Sequence, residues 1–181
     1  MDRRWGATPP AGDLLRNAET WVRFHSLPRS KRYAETPEEY DELLRRHHTV
    51  LHELAATTGS DEVLVLTLAW SCSTLPVPRS APLQTAVPGS TYWASFRDPD
   101  DPESWSHTFV DRLPLTPEAL DPLLRLVADD GAAGVIICDD DLTWFFHPYD
   151  GGADVIPATT TMRDELRARH RAWLSATESG L

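Results

Sequence analysis

The chain alternates between segments whose apolar residues recur at helical spacing and segments that are apolar throughout or at every second position. The clearest helical stripe is formed by Tyr40, Leu43, Leu44, His47, Leu51 and Leu54. Thr36 stands before it as an N-cap, Pro37 suits the first helical position, Glu39 completes a capping box, and Gly59 stops it. These signals predict a helix from Pro37 to about Thr57. Thr116-Pro117-Glu118 repeats the device and predicts a second helix running to Asp130 and capped by Gly131. A final helix is expected from near Thr160 or Thr161, with Met162, Leu166, His170, Trp173 and Leu174 on one side. A short helix is expected from Asp13 to about Thr20.

The strand signals lie between these helices. Residues 21–25 alternate and read as a strand that Pro28 ends. Residues 63–70 are continuously apolar, which predicts a central strand covered on both faces. Residues 91–96 and 105–111 flank an acidic turn at 97–103 and read as a hairpin. Residues 72–90, rich in Ser, Thr and Pro, read as a long loop. Val135–Cys138 is a second buried strand. Asp139-Asp140-Asp141 turns the chain into 143–147, and Gly151-Gly152 turns it again into 153–156. The order implies an α+β fold, a single domain with a mainly antiparallel central sheet and about three packed helices. The domain is assigned to residues 13–177, between a loose N-terminal segment (1–12) and a short tail (178–181).

Composition narrows the classes. A chain of 181 residues can bury a core without a disulfide or metal staple. Its net charge of -11 repels nucleic-acid backbones and anionic membranes and attracts a basic protein or a cation. No stretch approaches the roughly 20 apolar residues of a membrane helix. Asp2, Arg3, Arg4 and Asp13 interrupt the N-terminus, so no secretion signal is expected. Cys72 and Cys138, each expected at the end of an apolar strand, form no CxxC pair, and reduced buried thiols in a cytoplasm are expected. Seven Trp residues are expected mostly in the core, with a minority marking a binding face.

Few residues suggest chemistry. His48 and His52 have the i, i+4 spacing of metal ligands, but no third ligand or catalytic Glu accompanies them, and surface histidines are the better reading. His47 and His170 sit on apolar stripes and read as satisfied core histidines. Asp139–Asp141 lacks the pattern of a calcium loop and reads as a solvated turn. Arg29, Lys31 and Arg32, followed by Tyr33, form a dense basic cluster on a negative chain, suited to a phosphate or an acidic peptide. Nucleophile elbows, phosphate-binding glycine loops and zinc cysteine spacings are absent, so enzymatic activity is disfavoured, and no cofactor or metal is expected.

Residues 145–156, Phe-Phe-His-Pro-Tyr-Asp-Gly-Gly-Ala-Asp-Val-Ile, resemble the C-terminal signature of an uncharacterised bacterial domain family. That family reads Tyr-Asp-Asp-Arg-Gly-Met-Asp-Val-Ile, followed by a helix ending in Trp. Here Tyr149, Asp150, Asp154, Val155 and Ile156 match, and Trp173 takes the last place. The signature is one residue shorter, with Gly151-Gly152 in place of the Asp-Arg-Gly turn, so no arginine role carries over. Val22-Arg23-Phe24 and the helix leading to Asp61-Glu62-Val63-Leu64 resemble its N-terminal half. The resemblance implies a fold rather than an activity. Small acidic α+β domains also resemble immunity proteins of bacterial toxin systems, an analogy of size, charge and fold class. Read on its residues alone, the signature is a structural hairpin: the glycines permit positive φ, and Asp154 accepts backbone N–H groups across the turn.

Two functional expectations result. The first is a non-enzymatic interaction module of immunity or regulatory type, which binds a protein partner, a basic one suiting its charge, through an acidic, Trp-bearing surface. The alternative is a small-molecule-binding domain or unrecognised enzyme whose site gathers Arg23, the loop Arg29, Lys31, Arg32 and Tyr33, and the hairpin residues His147, Tyr149, Asp150 and Asp154.

Overall fold

Apolar runs at period two and stripes at helical period have one joint solution, a sheet with helices laid on it. The computed structural model describes residues 15–98 and 101–175. The N-terminal segment 1–12 and the tail 178–181 lie outside the described residues, as does Trp5. The strands are β1 (Val22–His25), β2 (Glu62–Ser71), β3 (Thr91–Arg97), β4 (Trp105–Pro114), β5 (Ile136–Cys138), β6 (Phe145–Tyr149) and β7 (Gly152–Ile156). They form one seven-stranded antiparallel sheet in the order β1-β7-β6-β5-β2-β4-β3. The helices are α1 (Pro37–Ala55), α2 (Ala81–Ala86), α3 (Pro117–Ala128) and α4 (Thr160–Arg169). The fold is therefore a single α+β domain. None of the described helices is long and apolar enough to cross a membrane.

The main core lies between the helices and one sheet face. Leu43, Leu51 and Leu54 of α1 and Leu120, Leu123 and Leu124 of α3 pack with Val63, Val65, Ile137, Phe146 and Val155. On the opposite face Leu15, Ala18 and Trp21 cover Leu66, Ile136, Cys138 and Phe145. That cover is incomplete. Leu64 and Leu68 are half-buried and Trp70 is 50% exposed, so β2 is fully covered on the helix side only. The expectation of two covered faces fails because helices occupy only one of them.

Several local signals resolve differently from the sequence reading. Thr36 Oγ1 accepts the Glu39 N–H at 3.3 Å, but the Glu39 carboxylate takes the Glu35 N–H at 2.8 Å and the Lys31 ammonium at 2.7 Å. Thr116 makes no side-chain cap bond. At the end of α3 it is Asp130, not Gly131, that takes left-handed φ (58°), while the Gly131 N–H reaches Leu126 O at 2.8 Å. The long loop expected at 72–90 contains α2, capped by Ser80 and anchored by buried Leu83 and Val87. Of the helix expected from Asp13, the described part leaves helical geometry after Leu15 and runs as turns to Thr20. There Trp21 N–H bonds Ala18 O and Leu15 enters the second core cluster. Cys138 is buried as expected, whereas Cys72, one residue past β2, is exposed.

Candidate functional site

Antiparallel pairing of β1, β7 and β6 places Arg23 opposite Asp154 and Asp154 opposite His147. Their neighbours Phe24, Val155 and Phe146 belong to the main core, so alternation turns this row to the sheet's other face. Asp154 is fully buried. Arg16 Nε donates to its Oδ2 at 2.8 Å and Arg23 Nε to its Oδ1 at 3.1 Å, while His147 Nδ1 lies 3.9 Å from Oδ2. Both carboxylate oxygens thus accept charge-assisted bonds, which a buried carboxylate needs. Asp154 sits three residues past the turn and faces guanidinium groups. This corrects the expectation that it accepts backbone N–H groups across the turn. The Arg23 guanidinium also lies 5.6 Å from the Trp21 ring and 5.4 Å from the Tyr149 ring. The Tyr149 hydroxyl is buried with no hydrogen-bond partner among the described residues. Burial first, then the charge of Asp154, pushes this phenol well above its ordinary pKa.

The β6–β7 turn is the two residues Asp150 and Gly151, since Tyr149 pairs with Gly152. Neither glycine has positive φ, contrary to the sequence expectation. Gly152 is required for a different reason: a Cβ there would stand 2.4 Å from Phe24 O of β1. The basic loop docks on this turn. Arg32 Nε donates to Asp150 Oδ2 at 2.7 Å, and the Tyr33 hydroxyl donates to the same oxygen at 3.0 Å. Lys31 instead turns to Glu39 and Glu35, whose hydrogen bonds raise its pKa. Arg29 is exposed and makes no ion pair among the described residues. The nine candidates therefore divide. Arg23, His147, Tyr149 and Asp154 form one cluster, Arg32, Tyr33 and Asp150 a second at the hairpin tip, and Lys31 and Arg29 stand apart. Lys31 and Arg32 are already paired with carboxylates, which diminishes the loop as a docking point for phosphate.

The other histidines and acids are tied into the structure. His47 is buried, shares a 2.8 Å hydrogen bond with Ser26 Oγ, and meets the Phe146 ring edge-on at 5.5 Å. Burial, followed by the charges of His48 and Arg46, lowers its pKa to about 3. His170 stacks on Trp173 with centroids 4.0 Å apart and lies 3.0 Å from Glu53. His48 pairs with Asp121 at 2.6 Å. No group of three or more His, Cys, Asp or Glu residues suited to a metal occurs among the described residues. Asp139 corrects the picture of a solvated turn. It is buried and accepts bonds from Thr143 N–H, Thr143 Oγ1 and Trp144 N–H, while Asp140 pairs with Arg112 at 2.7 Å.

Sequence reasoning missed three groups. Arg16 has no pattern linking it to Asp154, 138 residues away. His107 is fully buried, 2.9 Å from Ser71 Oγ and 2.6 Å from Ser95 Oγ, which itself lies 2.9 Å from the Tyr92 hydroxyl. The alternation of β4 carried a usable signal, since His107 has the parity of the helix-facing Phe109. Arg79 is a buried guanidinium in a segment that reads as polar loop.

No curated protein and no solved structure matches this chain. A family model described as a domain of unknown function, DUF3885, matches residues 12–178, almost the whole chain and all seven strands. The chain belongs to that family, the domain of unknown function DUF3885.

Proposed function

We propose that this domain is a non-enzymatic protein-interaction module, of the kind found among bacterial cytoplasmic immunity and regulatory proteins, and that it binds through the acidic, Trp-bearing end of its sheet. One observation carries the reading. Trp70 is 50% exposed near the end of β2, on the face that lacks helices. The register Ser71↔Trp105↔Arg97 puts the β3–β4 turn, with Asp98, Asp101 and Glu103, at that same end. A large exposed indole at the same end of the sheet as a group of carboxylates is the chemistry of an interface anchor with an acidic rim. The net charge of -11 steers a basic partner toward it. The hairpin cluster supports this division of labour, because its charged groups are largely spent on one another. Affinity capture from a lysate of the source cells at low and high salt tests the reading. A stoichiometric basic partner whose capture weakens with salt supports it, and capture of no protein at either salt opposes it.

The alternative, a small-molecule site at the hairpin, is favoured by one observation, the unpartnered Tyr149 hydroxyl beside Asp154. A metabolite thermal-shift screen of the wild type and Tyr149→Phe tests it. A hit lost in the variant would support that site, and the absence of any hit would remove it.

A further inference from the structure

A cavity of about 310 Å³ opens between the segment preceding β3 and strand β4, lined by Pro78, Arg79, Gln84, Pro88, Ser90 and Phe109. That volume is at the small end of the roughly 300–1,000 Å³ typical of ligand sites. Two of its polar groups are incompletely satisfied. Arg79 is only 7% exposed, yet no carboxylate lies within ion-pair distance of it among the described residues. Its guanidinium is held by two carbonyls, Nη2 to Val87 O at 2.8 Å and Nη1 to Leu83 O at 3.4 Å, and packs 5.6 Å from the Phe109 ring centre. Five N–H donors on a guanidinium leave capacity beyond these two bonds. The Ser90 hydroxyl is buried with no hydrogen-bond partner among the described residues. A buried, always-protonated cation and an orphan hydroxyl on one cavity, beside an aromatic ring and two prolines, are the complement of a small apolar acid.

We propose that this cavity binds a small organic monocarboxylate, with the carboxylate on Arg79 and Ser90 and the apolar body against Phe109, Pro78 and Pro88. Asp111 decides between anion classes. Its charge acts on Arg79, and its carboxylate lies against Gly89, where a Cβ would meet Oδ2 at 2.7 Å. Together with the net charge of -11, this disfavours a dianionic phosphate and leaves room for one negative charge.

Benzoate, its neutral isostere benzamide and inorganic phosphate are the probes, titrated into the full chain and followed by calorimetry and by amide chemical shifts. Benzoate is expected to saturate, moving the amides of 79–90 and 109, while benzamide and phosphate bind at least tenfold more weakly. Ser90→Ala, which removes a hydroxyl that holds nothing else, is expected to weaken benzoate about 3- to 10-fold, the usual range for one hydrogen bond. Arg79→Gln is expected to abolish binding, and Arg79→Lys serves where that variant fails to fold, with a smaller loss. Benzoate binding unchanged by Ser90→Ala, equal binding of benzamide, tighter binding of phosphate, or no saturation by benzoate would each overturn the proposal.

Discussion

Asp154 keeps a carboxylate out of water because Arg16 and Arg23 each supply a guanidinium N–H to it. Removing one partner from such a group strands the other charges, so Asp154→Ala should destabilise the fold by about 3–5 kcal/mol in urea denaturation, trimmed by the partial exposure of Arg16. Arg32→Ala removes an exposed guanidinium that pairs with Asp150 and lies over the Tyr33 ring, and it should leave the denaturation midpoint nearly unchanged. His47 supplies a pH signature. In the unfolded chain it takes a proton near its ordinary 6.5, and in the folded chain only near 3. The unfolded state therefore binds more protons between these values, and the stability contribution, complete above about pH 6.5, is lost as pH falls through that window. The slope from this group is at most about 1.4 kcal/mol per pH unit. His47→Gln should flatten the fall in melting temperature between about pH 6.5 and 5, before most carboxylates titrate. An unchanged slope in the variant would assign the dependence to other groups. Residue identity alone foretold that His47 is a core histidine, because it lay on the apolar stripe. It did not foretell that Asp154 meets arginines, because that requires the β1–β7 register and a turn segment far away in sequence.

Elements were legible where capping and periodicity agreed. Thr36 and Pro37 open α1 as their chemistry demands, whereas α1 ends at Ala55, short of the expected Thr57, and Gly59 takes φ of 69° only at the close of the turn that follows. Legibility failed where tertiary packing overrode local signals. Ser80, Ala81 and Pro82 carry a helix start inside what reads as loop, because buried Leu83 and Val87 give that turn something to pack on. The two adjacent glycines at 151 and 152 read as a positive-φ turn, yet their roles separate. Gly152 faces Phe24 O, where a Cβ would intrude to 2.4 Å, whereas the nearest atom to a Cβ at Gly151 is Arg32 Cγ at an ordinary 3.4 Å. Gly152→Ala should therefore push β1 off β7 and cost about 1–3 kcal/mol, while Gly151→Ala should be nearly neutral. Denaturation midpoints of the two variants measure this, and equal losses would contradict the close-approach account.

Across the whole molecule, the helices, the Leu15–Trp21 segment and the hairpin cluster cover most of the sheet, and the end of β2 remains open with Trp70 upon it. The fold class was readable from the chain because the order of apolar runs and amphipathic stripes has few packing solutions. The exposed face was not, because a continuous apolar run reads the same whether one or both faces are covered. Among the described tryptophans Trp144 is fully buried and Trp21, Trp93 and Trp173 are partly buried against the core, while Trp70 is exposed. The central claim is that binding resides at the Trp70 end and that the hairpin is architectural. The direct measurement is parallel affinity capture with wild type, Trp70→Ala and Arg32→Ala, each first shown to melt cooperatively. The account predicts that wild type and Arg32→Ala retain the same stoichiometric partner and that Trp70→Ala loses it. A partner retained by Trp70→Ala and lost by Arg32→Ala would contradict the account and move the site to the hairpin.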